Sequence, residues 1–204
     1  MNREIGFFDV DCRELNAAGT GLGYRPRVEP IVPALEKLYA RARELDAPEV
    51  FTTCCSGRML REASLSEVLF VPMDPAQSGW TARVPAHRLF YLEKATCGVP
   101  AENYKQRTFD AFRYNRNAPR LFELLGARRW VVFGNGFDLC VNTTVRGLLG
   151  CGLAVHLIAD VTVAAARGYD DCGTEENRRR VLEDLAGLGA TVGTLAEFLE
   201  AGRP

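Results

Sequence analysis

The chain has 204 residues, 47% of them hydrophobic and 25% charged, and a formal net charge of −1. A chain of that length and apolar content can bury a core as one domain, expected here over residues 1–204, without disulfide or metal staples. Its basic residues are dispersed, which argues against nucleic acid as the main partner, since phosphate binding needs a concentrated basic surface.

No segment approaches the roughly 20 apolar residues of a membrane helix, and the start of the chain has no secretory hydrophobic run. A cytosolic (cytoplasmic) protein with no membrane partner is the expectation. In that reducing setting the seven cysteines, at 12, 54, 55, 97, 140, 151 and 172, default to buried hydrophobes with one or two reactive members. None forms a C-x-x-C pair, and the two histidines, His87 and His156, are far apart, so neither a zinc site nor another cofactor is expected.

In chain order, Ile5 to Val10 is an apolar run suited to a buried strand. Gly19-Thr20-Gly21-Leu22-Gly23 lies too far beyond that strand for a phosphate loop, and Pro26 follows in place of a helix, so a mobile cover loop is expected. Val28 to Leu45 has helical spacing through Ile31, Leu35, Leu38, Tyr39 and Ala42, and Val50 to Thr53 reads as a second strand. From Cys55 to Lys105 prolines and glycines break the pattern, with Val68 to Val71 and Leu89 to Leu92 as short candidate strands. Order returns with a helix at Ala118 to Leu125, a buried strand at Trp130 to Phe133, a helix at Asp138 to Leu149 and a strand at Leu153 to Ile158. Thr174 to Leu185 opens with acidic residues, as a helix dipole favours; a strand at Ala190 to Val192 and a helix at Thr194 to Ala201 finish the chain. Strands alternating with helices imply a mostly parallel sheet covered on both faces. Ligands bind such sheets at the carboxyl ends of the strands, so a working residue should fall just after a strand.

Two segments meet that condition. Phe7-Phe8-Asp9-Val10-Asp11 ends an apolar strand with a carboxylate that is either a turn residue or a buried group in need of a partner. Gly134-Asn135-Gly136-Phe137-Asp138-Leu139-Cys140 carries an Asn-Gly pair that also signals a β-hairpin. Against the hairpin, Val141, Thr144, Val145, Leu148 and Leu149 keep helical spacing, and Gly150 and Gly152 supply a stop. A strand, tight turn and helix would hold Cys140 at a helix N-terminus, where the dipole and unpaired amides favour the thiolate. A third segment, Tyr104 through Phe112, is by itself an amphipathic loop with a surface lysine, Lys105.

Together the three segments resemble the isochorismatase-like hydrolase superfamily. The matching pieces are Phe8-Asp9-Val10-Asp11, then Lys105 followed by Asp110-Ala111-Phe112, then Gly134 through Val141, with Arg146, Gly152 and Asp160 also in step. The resemblance implies a three-layer α/β/α sandwich with a mostly parallel sheet of about six strands. It further implies a triad in which Cys140 is the nucleophile, Asp9 the proton carrier and Lys105 its cationic partner. A cis peptide at Asn135–Gly136 and an oxyanion hole from the Gly136 and Cys140 amides also follow from it. The family often assembles as dimers or tetramers, so a homodimer or homotetramer acting on a small-molecule substrate is expected.

The sequence departs from the family in three places. Asp11 stands where glutamine is usual, which leaves open whether Asp9 or Asp11 is the working carboxylate. Phe137 replaces the usual threonine or serine beside the turn, making the pocket wall more apolar. Thr52-Thr53-Cys54-Cys55-Ser56-Gly57 lacks the histidines that hold metal in the family's nicotinamidases, so no metal is expected. Cys54 and Cys55 are packing residues in the plainer reading; the alternatives are that they line the pocket, with Tyr104, or bind a soft metal. The functional expectation is cysteine-dependent hydrolysis of a C–N bond in a small amide, ureide or carbamoyl compound through a thioester. The alternatives are isochorismatase-type vinyl-ether hydrolysis, or a non-catalytic binding or thiol redox domain on the same fold.

Overall fold

The computed structural model describes residues 4–53, 60, 65–94, 110–164 and 173–201. Strand β1 (Ile5–Val10) lies at its centre, with every residue from Gly6 to Val10 buried. A run covered on both faces marks a strand inside a parallel sheet. Gly6 suits this position because a Cβ there would meet the Trp130 ring at 2.7 Å.

Beyond β1, β2 (Arg13–Leu15) pairs antiparallel with β3 (Leu22–Tyr24). The glycine-rich stretch expected as a cover loop is thus the turn and second arm of a small ribbon. Asn16 closes the turn, its Oδ1 accepting from the Thr20 N–H at 3.0 Å. A 3-10 turn at Pro26–Ile31 leads into α1 (Val32–Glu44). Pro30 has no N–H to give an α-helix, whereas Pro33 is tolerated in a first turn, so the helix starts at Val32 although apolar spacing runs back to Val28.

The next strands are β4 (Glu49–Thr52), β5 (Val68–Val71) and β6 (Leu89–Leu92). A single helical turn, α2 (Ala111–Tyr114), precedes α3 (Ala118–Leu125), which Gly126 stops at φ 71. Strand β7 (Arg129–Asn135) is followed by a wide π-type turn at Phe137–Val141 and by α4 (Asn142–Gly150). Then come β8 (Ala154–Val163), α5 (Glu175–Gly187), β9 (Thr191–Gly193) and α6 (Leu195–Ala201).

Among the described residues seven parallel strands form one sheet in the order β5-β6-β4-β1-β7-β8-β9, slightly more than the six or so expected. Alternate residues supply the two faces. Phe7, Val131 and Phe133 pack with Leu35 and Leu38 of α1 and Leu195 of α6. Phe8, Val10 and Val132 pack on the other side with Leu121 of α3, Val145 of α4 and Leu185 of α5. The sheet is therefore the middle of three layers. Strand order reverses about β1, with β4 on one side and β7 on the other, and in open α/β sheets such a reversal is where ligands bind, at the carboxyl edge. Among the described residues no helix is long and apolar enough to cross a membrane.

Candidate active site

The carboxyl edge of the sheet gathers side chains from four neighbouring strands. Asp11 is the first residue past β1, fully buried, with its backbone at φ 56. Left-handed backbone at a non-glycine residue is uncommon, and aspartate is one of the few side chains that tolerates it. Two hydrogen bonds hold this segment to the end of β4: the Asp11 N–H donates to the Thr52 carbonyl at 3.1 Å, and the Thr52 hydroxyl donates to Asp11 Oδ1 at 2.8 Å. Lys94 Nζ lies 2.6 Å from the other carboxylate oxygen, with both side chains at most 2% exposed.

Lys94 comes two residues after β6, and its segment is braced on both sides. The Glu93 N–H donates to the Val71 carbonyl at 3.0 Å, and Asn115 Nδ2 donates to the carbonyls of Glu93 and Val71. The lysine thus reaches Asp11 from a fixed base. Sequence reasoning misses Lys94, although the signal is present: it follows the apolar run Leu89 to Leu92, where a working residue should fall.

Asp9 has a different setting. It lies within β1, opposite Phe51 of β4 and Phe133 of β7, and its side chain is taken up on the α1 side of the sheet. The Tyr39 hydroxyl donates to Oδ2 at 2.7 Å, and the Cys12 N–H donates to Oδ1 at 3.1 Å. Arg13 Nε lies 3.1 Å from Oδ2, while Arg13 Nη2 donates to Glu49 at 2.7 Å and the guanidinium stacks 3.9 Å above the Tyr39 ring. Burial pushes the Asp9 carboxyl above its usual range, against the pull of Arg13 and the hydrogen bonds. Burial, and then the nearby Asp9 charge, push the Cys12 thiol well up, so Cys12 is held as a thiol.

Cys140 is 3% exposed and lies in the turn after β7. The hairpin alternative is excluded, because β7 pairs in parallel with β1 and β8 and a helix follows. Gly134 has φ 131, and a Cβ there would lie 2.2 Å from the Val10 carbonyl oxygen, so only glycine allows β1 and β7 to close up beside the site. Gly136 turns the chain at φ 76, and a Cβ on it would sit 3.3 Å from the Cys140 sulfur. The sulfur therefore folds back over the Gly136 backbone. The peptide bonds of the described residues are all trans, Asn135–Gly136 included, which corrects the cis bond expected there: positive φ at Gly136 makes the bend instead.

Two further contacts fix the turn. Asp138 is buried and accepts from the Gly173 N–H at 2.7 Å and from Asn177 Nδ2 at 3.2 Å, tying the turn to the start of α5. Phe137 belongs to the core, with the Arg178 guanidinium 4.6 Å above its ring. Lys105, Tyr104, Cys54 and Cys55 lie outside the described residues.

The register Val10↔Gly134 between β1 and β7 sets the start of the Cys140 turn beside Asp11. A cavity of about 840 Å³ opens elsewhere, at the amino edge, between Ile5, Arg129, His156 and Phe198. Its size does not make it the site, since it has no nucleophile and lies across the sheet from the buried ion pair. Among the described residues no group of three or more His, Cys, Asp or Glu side chains could hold a metal ion.

A parallel sheet covered on both faces, with a buried cysteine in the turn between β7 and α4 at its carboxyl edge, defines a three-layer α/β/α protein. A model of the isochorismatase domain matches residues 7–197, and the chain belongs to this family of hydrolases. Among curated proteins, none matches the sequence. Among solved structures, a pyrazinamidase of Pyrococcus horikoshii in complex with zinc superposes with TM-score 0.59 at 15% identity, over 94% of this chain and 99% of that one. A cysteine hydrolase from Pseudomonas syringae pv. phaseolicola gives TM-score 0.57 at 15% identity, over 98% and 92%. YcaC from Pseudomonas aeruginosa, with hexane-2,5-diol and covalent acrylamide, gives 0.51 at 15%, over 96% and 78%. At these identities the likeness carries the fold alone.

Proposed function

We propose that the chain is a cysteine-dependent hydrolase of a C–N bond in a small amide, ureide or carbamoyl compound, with Cys140, Asp11 and Lys94 as its working residues. The observation that carries this reading is the fully buried Asp11–Lys94 pair at the carboxyl edge of β1 and β6, beside the turn that holds Cys140. Burial of an ion pair costs several kcal/mol per ion in desolvation, offset by the pair's own attraction, so it is the position of this pair at the carboxyl edge, beside the Cys140 turn, that supports the reading. Asp11 takes precedence over Asp9 because it falls beyond the strand, whereas Asp9 is enclosed within it. Lys94 takes the part that the family resemblance gave to Lys105.

Asp11 accepts the proton of the Cys140 thiol, and the thiolate attacks the carbonyl carbon of the substrate. The Gly136 and Cys140 amides donate to the oxygen that becomes negative. As the C–N bond breaks, Asp11 returns the proton to the departing nitrogen, leaving a thioester on Cys140. Water then attacks the thioester carbon, giving up a proton to Asp11, and the thiol and a carboxylic or carbamic acid are released. Lys94 stays protonated, holds Asp11 in place and offsets the negative charge that moves between Asp11 and the sulfur. Two structural neighbours support this reading by name, a pyrazinamidase for the amide and a cysteine hydrolase for the thiol.

Ammonia release from a panel of small primary amides and ureides, with mass spectrometry of the intact protein, tests this function. The expected result is release accompanied by an acyl adduct on Cys140, both lost in Cys140→Ala. Equal ammonia release by wild type and Cys140→Ala would overturn it. Lys94→Met and Lys105→Met, compared side by side, decide between the two lysines.

A further inference from the structure

Asn135 is the last residue of β7 and the one immediately before Gly136, whose backbone lies under the Cys140 sulfur. It is 7% exposed, and its side-chain oxygen Oδ1 is buried and accepts no hydrogen bond among the described residues. The other buried asparagines among the described residues are tied in. Asn115 donates to the Val71 and Glu93 carbonyls and accepts from the Asn117 N–H, and Asn117 donates to the carbonyls of Pro72 and Asp74. Asn177 donates to Asp138 and accepts from Arg180. A buried carboxamide oxygen with no donor weakens a fold, and an apolar residue would fill the end of a buried strand better. Such a group at a cleft is accounted for when a ligand brings the donor.

We propose that Asn135 is a specificity-determining residue of the Cys140 site, its Oδ1 accepting a hydrogen bond from an N–H of the amide under attack. The site then takes primary amides and carbamoyl compounds, which carry such an N–H, and rejects esters of the same shape, which leave the oxygen unpaired. The inference rests on the reading of Cys140 as nucleophile. The register supports it: Val10 pairs with Gly134, so Asn135 comes one step further along, where β1 gives way to Asp11. Asn135 thus stands at the carboxyl edge, one residue past the Val10–Gly134 pair and directly before the turn that holds Cys140.

The test compares two Michael acceptors of similar shape, acrylamide, which has N–H groups, and methyl acrylate, which has none. In each case the Cys140 sulfur bonds to the terminal vinyl carbon, the C=C electron pair moves to the adjacent carbon, and that carbon takes the proton of the thiol. Peptide mapping gives the labelling rate at Cys140, with the exposed Cys151 as an internal reference in the same molecule. Asn135→Leu is expected to lower the acrylamide-to-methyl-acrylate rate ratio at Cys140 about tenfold, the loss of one buried hydrogen bond. Its melting temperature should equal or exceed that of the wild type, because the substitution removes an unsatisfied oxygen; a merely structural asparagine would lower it. Asn135→Ala serves as a second variant if leucine overpacks.

A ratio within twofold of wild type, with Cys140 labelled by both reagents, overturns the proposal. If neither reagent labels Cys140 of the wild type faster than Cys151, the nucleophile reading falls and takes this inference with it.

Discussion

Asp9 and Asp11 are two residues apart, both buried, and each is matched to a cation, yet their surroundings differ. Asp9 is inside β1 and is fastened by Tyr39, the Cys12 N–H and Arg13, which is itself shared with Glu49. Asp11 is past the strand, in left-handed backbone, held by Thr52 and Lys94 at the edge where Cys140 also lies. Burial with a charged partner is common to both and does not by itself identify a catalytic carboxylate. Position relative to the strand end separates them. The Asp9 cluster fixes the first strand and its exit; the Asp11 pair lies past the strand end, at the edge that also carries the Cys140 turn.

The largest expected effect falls on activity. Asp11→Asn keeps the shape of the side chain but removes the proposed base, so kcat/KM should fall at least about a thousandfold. Asp9→Asn should lower it less than about tenfold. Steady-state ammonia release by the two variants, each checked for folding by circular dichroism, breaks the comparison if the order is reversed. Next comes a stability effect on the other cluster. Arg13→Met leaves the Asp9 and Glu49 carboxylates without their cation and removes the guanidinium from the Tyr39 ring, so urea unfolding should show a loss of about 3 kcal/mol. A loss under about 1 kcal/mol would mean that the Asp9 cluster is not the anchor described here.

Much of the framework is legible in the sequence, because β1 and β7 are apolar runs that end in chemistry-bearing residues. The Cys140 turn is legible for the same reason: two glycines follow a buried strand, and helical spacing resumes beyond them. Lys94 is harder to see. Its strand has four residues, and its partner Asp11 is 83 positions away, so the ion pair is a product of tertiary folding alone. The choice between Asp9 and Asp11 turns on whether the strand ends at Val10, and periodicity does not fix a boundary to one residue. The ribbon of β2 and β3 is hidden because each arm has only three residues, too few for a period of two to show. The trans bond at Asn135–Gly136 shows a different limit, since a glycine can make the same bend through φ that a cis bond makes through ω.

The smallest effect, a pH dependence, sharpens the contrast within the Asp9 cluster itself. Burial outweighs Arg13 there and raises the Asp9 carboxyl above its ordinary value, so the folded protein binds that proton more tightly than the unfolded chain. A raised group contributes stability that is fully present below the unfolded value, about pH 4 for aspartate, and is lost as the pH rises through the folded one. Asn at position 9 does not titrate and lacks this dependence. Urea unfolding of wild type and Asp9→Asn at pH 4, 5, 6 and 7 should therefore show the stability of wild type relative to the variant falling as the pH rises. If it rose instead, the Arg13 ion pair would outweigh burial, and Asp9 would be an ordinary salt-bridged carboxylate whose charge stabilises the fold.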